Sequence, residues 1–227
     1  MANQPNLVRQ PRPGGRGKKG AVLHAYCRAP KDVTVLCFDE GGPYQAIPHA
    51  GRSWQPWGQP RLLPHVYVRG GTVQVLAALV QRRGLGCPWR AGHVELQTVA
   101  LRPKAVVYAF LASRVEHLLA AGAPRVWVVL DNLNVHRSPE LKAWLAAQGG
   151  RVRFLFTPFY ASWLNLVESW LRILRDRVIA GTHYITTVAL GRALLAFVRF
   201  WNRCPTPFHW GGLHIVDCEH SPEEFLL

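Results

Sequence analysis

The sequence predicts an α/β protein with five strands and flanking helices. Short runs rich in β-branched and other apolar residues, such as 33–38, 125–130 and 151–156, have the length and composition of strands. Elsewhere apolar residues recur every three or four positions, which is the period of a helix buried on one face. Three strands come first, and helix, strand, helix, strand and helix follow. Strands that alternate with helices in this way are typical of the α/β class.

Local signals give the limits of each element. Strands are expected at 33–38, 65–80, 93–101, 125–130 and 151–156, and helices at 103–121, 138–148, from Ser162 onward and at 186–201. Ser138 precedes Pro139, which suits a serine cap followed by proline at the first helical position. Ser162 is expected to cap the third helix. The buried face of that helix is predicted to contain Leu164, Val167, Leu171, Leu174 and Val178.

The chain is strongly basic. Its 227 residues include 27 Lys and Arg against 13 Asp and Glu, which gives a formal net charge of +14. This excess predicts a polyanionic partner, either nucleic acid or an anionic membrane surface. Most of the basic residues are arginine, which binds phosphate bidentately, and this favours nucleic acid. Hydrophobic residues make up 49% of the chain, enough for a packed core, so global disorder is not expected.

Two further features concern the cellular compartment. No uninterrupted apolar run reaches the length of a membrane span, and the polar N-terminal stretch does not have the pattern of a secretory signal. The five cysteines are odd in number and lack CxxC spacing, which favours reduced thiols. A cytoplasmic protein without a membrane partner is therefore expected.

Three acids stand at positions suited to metal-dependent chemistry. Asp39 follows the strand that begins at Val33, Asp131 follows the strand 125–130, and Glu168 lies on the helix after the fifth strand. If the two strands are parallel neighbours, their acids meet at one edge of the sheet, and a helix crossing that edge adds the third. Carboxylates are ligands of Mg²⁺. Two such ions can clamp the attacking and leaving oxygens of a phosphodiester.

Each acid also has an ordinary structural interpretation. An Asp at the end of a strand is often a turn or capping residue, and Asn132 after Asp131 suits an Asx-turn. Glu168 is four residues before Arg172, a spacing at which exposed ion pairs contribute only a few tenths of a kcal/mol. The metal interpretation depends on the three acids occurring together.

The sequence resembles a known family at three places. They are Phe38-Asp39-Glu40, Leu130-Asp131-Asn132 with His136, and the block that contains Pro158, Trp163-Leu164-Asn165, Glu168 and Trp170. In these residues the chain is similar to the DDE transposases of the ribonuclease H-like superfamily, in particular the mariner-related transposases of bacterial insertion sequences. The resemblance covers residues 31–212. It implies a ribonuclease H-like fold, with a mixed five-stranded sheet flanked by helices.

The resemblance also implies the site. Asp39, Asp131 and Glu168 would be the catalytic residues and the ligands of Mg²⁺ or Mn²⁺, with two ions expected. The residues expected to position these ligands or the substrate are Glu40, Asn132, His136 and Asn165. The arginines expected to contact DNA phosphates are Arg82, Arg83, Arg172 and Arg175.

Three segments are expected. Residues 1–30 would form a flexible basic arm, 31–182 the ribonuclease H-like DDE catalytic domain, and 183–227 a C-terminal helix and tail packed on that domain. Transposases of this family carry an N-terminal helix-turn-helix region that reads the transposon ends, and thirty residues are too short for one. The Gly-, Pro- and Trp-rich segment 41–64 is expected to be a surface loop held on the sheet by its tryptophans or, as in mariner-type enzymes, to reach another subunit.

The implied function is metal-dependent cleavage and strand transfer of double-stranded DNA, with transposon ends and a target site as substrates. The enzyme would be a polynucleotidyl transferase that works as a homodimer in the bacterial cytoplasm, associated with the nucleoid. Without the helix-turn-helix region, its activity as a lone chain is an open question. Two alternatives remain: a ribonuclease H-like nuclease with no role in transposition, and a non-catalytic DNA-binding remnant of a transposase.

Overall fold

A mixed five-stranded sheet forms the centre of the molecule, which we describe from a computed structural model covering residues 15–49, 51, 56–59, 62, 66–131, 139–209 and 212–213. The strands are β1 (Val33–Gln45), β2 (Thr72–Arg82), β3 (Val94–Val99), β4 (Arg125–Leu130) and β5 (Val152–Phe156). Their spatial order is β3-β2-β1-β4-β5. The pairs β1–β2 and β2–β3 are antiparallel, whereas β1–β4 and β4–β5 are parallel.

Helices cover both faces of this sheet. In the described part of the chain they are α1 (Gly15–Arg28), α2 (Lys104–Ala120), α3 (Pro139–Ala147), α4 (Leu166–Leu174) and α5 (Thr187–Trp201). A 3₁₀ turn, Ser162–Leu164, precedes α4, and a π-helical turn, Arg175–Ile179, follows it. After α5, the short strands β6 (Phe208–His209) and β7 (Gly212–Leu213) pair antiparallel.

The five predicted strands and the four predicted helices all form, but β2 begins at Thr72, later than predicted, and β1 is longer than predicted. Instead of ending at Phe38, β1 continues past Asp39 to Gln45 and stays paired with β2. A register shift between Gly41 and Tyr44 marks a bulge, and Gly42 lies there with φ 93°, a backbone conformation that glycine adopts without steric cost. The Gly-Gly-Pro signal therefore produces a bulge within a strand rather than the end of it.

The segment after β1 also differs from the prediction of a loop held on the sheet by its tryptophans. The Trp57 side chain is fully exposed, so it does not pack on the sheet. Trp54 lies outside the described residues. Leu62, Val66 and Val68 are likewise more than 80% exposed, and this segment therefore presents apolar side chains to solvent.

Strand side chains alternate between two cores, one on each face of the sheet. Cys37 and Val129 point to the face covered by α1, α4 and α5. Leu36, Phe38 and Leu130 point to the opposite face, where α2 packs. Every second side chain of β1 and β4 therefore points to the face that α4 covers, and this alternation decides which side chains can meet residues of α4.

Residues 15–28 form the helix α1, which corrects the prediction of a flexible arm over residues 1–30. Val22 and Ala25, three positions apart, are fully buried in the core that α4 and α5 share. Helix α1 also lies against β5. Glycine and basic residues in this stretch indicated coil, but burial of an apolar face outweighs weak intrinsic propensity. Residues 1–14 of the predicted arm lie outside the described part of the chain.

The helix predicted near the C-terminus is α5. The Thr186 side chain accepts a hydrogen bond from the Ala189 N–H and caps it, and Leu190 and Leu194 are fully buried against the sheet. Among the described residues, no helix combines the length and the apolarity needed to cross a bilayer. Cys27, Cys37 and Cys87 are free thiols. Cys204 is disulfide-bonded, contrary to the expectation that all five cysteines are reduced.

We predict that α1 is required for the stability of this domain. Val22→Asp places an unpaired charge in the core, so it should lower the free energy of unfolding by about 3 kcal/mol or more. His24→Asp, on the exposed side of the same helix, should change that free energy by no more than about 0.5 kcal/mol. Urea denaturation followed by circular dichroism measures both. Equal midpoints for the two variants would contradict the packing of α1.

Candidate active site

Asp39 and Asp131 lie side by side at one edge of the sheet. In the parallel pair β1–β4, Cys37 is level with Val129, and the same register places Asp39 level with Asp131 two residues farther on. Neighbouring strands are about 4.8 Å apart. Alternation directs both acids to the face of Cys37 and Val129, which is the face that α4 covers.

Helix α4 brings Glu168 to the same edge. The helix approaches β1 at Gly41, where an added Cβ would come within 3.0 Å of the Leu171 side chain and within 2.8 Å of Val75. Glycine at this position therefore permits the close contact. Glu168 lies in the first turn of α4, and the turn is anchored by the Asn165 carbonyl, which accepts a hydrogen bond of 3.0 Å from the Glu168 N–H.

Asn165 joins the helix that carries Glu168 to the strand that carries Asp39. Its side chain is fully buried, and its Nδ2 donates a 2.8 Å hydrogen bond to the Phe38 carbonyl, one residue before Asp39. Within the described residues, its Oδ1 has no hydrogen-bond donor. The sequence singled out Asn165 as a positioning residue, and the structure gives it contacts suited to that role.

Ser162 does not cap α4, which corrects the prediction. It begins the 3₁₀ turn, and Asn165 occupies the position before the first residue of α4. Ser162 instead lies near the Glu168 carboxylate and, with Asp39, lowers its pKa, which opposes the rise caused by burial. Among the ion pairs of the described residues there is none between Glu168 and Arg172, so the exposed-pair interpretation of Glu168 is wrong.

One cavity of about 870 Å³ joins these groups. Asp39, Asp131 and Glu168 all line it, together with Arg172 and Arg175 from α4 and the turn that follows. The structure therefore brings the three acids and two of the predicted phosphate-binding arginines into one open cleft.

The acids are held together at an electrostatic cost. Asp39 is only 8% exposed, and its burial raises the pKa of its carboxyl group to about 7. The negative charges of Asp131 and Glu168 add to this rise, while a 2.8 Å hydrogen bond from the Glu40 N–H opposes it. The pKa of Glu168 is also raised, mainly by partial burial and then by the charge of Asp131. Such a cluster favours a cation, because a nearby positive charge relieves the repulsion.

The donor chemistry of the cleft suits Mg²⁺ or Mn²⁺. Both take carboxylate oxygens, and Mg²⁺ typically uses one or two carboxylates with water and substrate phosphate completing its shell. In the described residues, no group of three or more His, Cys, Asp or Glu side chains is arranged to enclose a metal ion as it stands. The cleft thus offers suitable ligands in an incomplete shell, rather than a closed protein cage.

The other predicted site residues divide into three groups. Glu40 lines the same cavity. Asn132 and His136 lie outside the described residues. Arg82 and Arg83 line a separate cavity with Lys31, and Arg82 is level with Val35, at the other end of β1 from the acids. The structure therefore does not bring Arg82 and Arg83 to the cleft.

Sequence reasoning missed two cavity residues and a buried contact. His49 and Arg102 line the acidic cavity, but neither belongs to a recognisable motif. Tyr26 of α1 donates a 2.7 Å hydrogen bond to the Leu164 carbonyl, and its hydroxyl lies 3.3 Å from Cys37 Sγ. Burial raises the pKa of the Cys37 thiol to about 12, so it stays a neutral packing group. These contacts tie α1 to the turn before α4.

The fold is that of transposase catalytic domains. A Mos1 transposase paired-end complex with the left transposon end superposes with a TM-score of 0.54 at 12% identity, over 89% of this chain and 59% of that one. The mariner Mos1 paired-end complex with Mg gives 0.54 at 14% identity, over 92% and 67%. These similarities confirm the ribonuclease H-like fold.

The chain belongs to the DDE superfamily endonucleases, whose family model matches residues 34–190. The predicted family resemblance is thereby confirmed. A relative, the insertion element IS630 uncharacterized 39 kDa protein of Shigella sonnei, is 30% identical over 92 residues, which are 40% of this chain and 25% of the relative. The matched part thus spans a quarter of the length of that relative.

We predict that Asn165→Ala separates Glu168 from Asp39. Removing the amide takes one buried hydrogen bond from the Phe38 carbonyl, which should cost about 1–3 kcal/mol of unfolding free energy. Asn202→Ala is the matched control, because the Asn202 side chain makes similar bonds of 2.8 and 2.9 Å to the backbone of Val94, away from the acids. Mn²⁺ affinity, measured by electron paramagnetic resonance, should fall only in Asn165→Ala. An equal loss in both variants would assign Asn165 a purely structural role.

The stability of the metal-free protein should depend on pH through Asp39. The native pKa of about 7 lies above the unfolded value of 3.8. The native state therefore binds the proton more tightly, and the stabilisation is complete below pH 4 and lost as pH rises through 7. At about 1.4 kcal/mol per pKa unit, the loss is on the order of 4 kcal/mol. Asp39→Asn should remove this dependence in denaturant titrations with chelator. Identical pH profiles for both proteins would contradict the shift.

Proposed function

We propose that this chain is the catalytic domain of an insertion-sequence transposase, and that it cleaves and joins DNA in a metal-dependent reaction. One observation carries the proposal: Asp39, Asp131 and Glu168, on three different elements, line a single cavity together with two arginines. Membership of the DDE endonuclease family supports it. In this proposal residues 31–182 form the catalytic domain, α1 completes its core, and the C-terminal helix α5 packs on it.

Each of the three acids has a defined task in this proposal. Asp39 and Asp131 would provide rigid ligands from the neighbouring strand β1 and the end of β4, and Glu168 would add a third from the first turn of α4. These residues would hold two Mg²⁺ or Mn²⁺ ions, whose chemistry is to activate the attacking water or 3′-hydroxyl and to neutralise charge on the phosphate. The same ligands serve cleavage by water and joining by a 3′-hydroxyl, because both reactions are in-line displacements at phosphorus.

Neighbouring side chains complete the proposed machinery. Asn165 holds α4 on β1, and Ser162, near the Glu168 carboxylate, favours its charged form by lowering its pKa. Glu40 lies in the cavity wall, and its N–H orients Asp39. Arg172 and Arg175 would bind phosphate oxygens near the reacting phosphate, since guanidinium groups match phosphate bidentately. Asn132 and His136 are proposed to help position the substrate, and Arg82 and Arg83 to contact more distant phosphates.

The proposed substrates are double-stranded transposon ends and target DNA. The net charge of +14 suits a polyanionic partner. We propose a homodimer as the active form, because the segment around Trp57, Leu62, Val66 and Val68 exposes apolar side chains that a second copy would cover. A bacterial cytoplasmic location, near the nucleoid, follows from the insertion-sequence assignment.

Asp131→Asn tests the proposal directly. Asparagine keeps the shape of the side chain and removes the charge that a metal needs. Nicking of a supercoiled plasmid in Mg²⁺ should fall by more than about 100-fold, since even changes around metal ligands cost 10- to 100-fold. Mn²⁺ affinity should fall in parallel. Glu116→Gln, an exposed acid on α2 that accepts a hydrogen bond from Trp144, removes one charge outside the cleft and should leave both unchanged.

Two outcomes would contradict the proposed mechanism: nicking that persists in excess chelator, and an Asp131→Asn variant with full activity. Joining assays separate the alternatives. An oligonucleotide with a free 3′-hydroxyl, taken from the DNA that flanks this gene, should be inserted into plasmid DNA by a transposase. A nuclease without a transposition role would only cut. A non-catalytic remnant would do neither.

A further inference from the structure

Arg102 is a cation in the acidic cleft that the proposed reaction does not use. It lies between β3 and α2 and lines the same cavity as Asp39, Asp131 and Glu168. Among the ion pairs of the described residues, none includes Arg102. The first turn of α2, directly after it, contains no acid. Arg102 shares the cavity with the three carboxylates but forms no ion pair with a described residue, so its guanidinium group is available to an anionic ligand.

Strand direction explains why Arg102 reaches the cleft. β1 and β3 both pair antiparallel with β2, so they run parallel to each other. The carboxyl end of β3 therefore opens on the same edge of the sheet as Asp39. Two strand spacings separate β1 from β3, which places the exit of β3 about 10 Å across the edge from the strand of Asp39. Asp131, on β4, lies on the other side of β1.

We propose that Arg102 forms a separate subsite for a non-scissile phosphate of the DNA strand that is cut, an inference that rests on the proposed function. The strand would cross the carboxyl edge of the sheet, with its reacting phosphate at the acids and a neighbouring phosphate at Arg102. With an axial rise of 3.4 Å per nucleotide of one strand, 10 Å corresponds to about three nucleotides. The fork of the guanidinium group suits such a phosphate.

Charge and position distinguish Arg102 from the other arginines of the cleft. Arg172 lies on α4, and Arg175 begins the turn after it, so both approach the reacting phosphate from the side of Glu168. Arg102 comes from the opposite wall, beyond β2. His49 also lines the cavity, but its Nε2 is 2.8 Å from the Gln45 carbonyl, which occupies one of its two ring nitrogens. Arg102 is thus the better-placed phosphate ligand on that wall.

The first test measures binding of a 30-base-pair duplex, without divalent metal, over a range of salt concentrations. Arg102→Gln should reduce the slope of log K against log salt by about one and weaken binding roughly tenfold at 0.1 M salt, because one phosphate contact is lost. Arg102→Lys should keep most of the slope. The matched control is Arg192→Gln, an exposed arginine on α5 that does not line the cavity. Equal slopes for Arg102→Gln and Arg192→Gln would overturn the proposal, provided that circular dichroism shows both folded.

The second test locates the phosphate. Single neutral methylphosphonates are placed along a duplex taken from the DNA that flanks the gene, and cleavage by the full chain in Mg²⁺ is measured. A methylphosphonate about three nucleotides from the cut should slow cleavage by the unsubstituted protein. The same methylphosphonate should not slow cleavage by Arg102→Gln any further. If, at every position, the methylphosphonate and Arg102→Gln reduce the cleavage rate independently of one another, the proposed subsite is wrong. If no duplex is cut at all, the proposed function fails, while the salt slopes still decide whether Arg102 binds phosphate.

Discussion

The hydrogen bond from Asn165 to the Phe38 carbonyl is the constraint on which the geometry of the cleft depends. Helix α4 and strand β1 are far apart in sequence, and this buried bond fixes where the first turn of the helix meets the strand. Asp39 follows Phe38, and the N–H of Glu168 bonds to Asn165 itself. The same junction therefore fixes the positions of both carboxylate groups. Moving Asn165 or Phe38 would let the Asp39 and Glu168 carboxylates, whose charges repel one another, move apart.

The sequence predicts the fold well where a pattern is repeated. Residues 126–130 are a continuous apolar run, and β4 (Arg125–Leu130) coincides with it because a strand buried on both faces needs such a run. The period of the helix after Ser162 likewise predicts its buried face, and Leu164, Val167, Leu171, Leu174 and Val178 are all buried. The chemical type of the site is also accessible from sequence, since acids that follow the apolar runs of two neighbouring parallel strands lie close together.

Features that depend on distant contacts were not predictable. Ser162 has the sequence signature of a helix cap, but a 3₁₀ turn begins there, and Asn165 is the residue that precedes α4. Arg102 belongs to no motif, and only the direction of β3 brings it to the cleft. Arg82 and Arg83 are as basic as Arg172, yet strand register carries them to the other end of β1. The local sequence shows where charged residues lie and how apolar residues recur. The position of a side chain in a cleft depends on the topology of the sheet.

The packing of α1 has a practical consequence for how the domain is delimited. The family match begins at residue 34, and an expression fragment cut at that boundary would lose Val22, Ala25 and the Tyr26 contact to Leu164. The exposed core would then face solvent beside β5, and such a fragment would tend to aggregate. Fragments for crystallisation or for fusion to another DNA-binding module should therefore begin before Gly15, with any linker attached upstream of the helix.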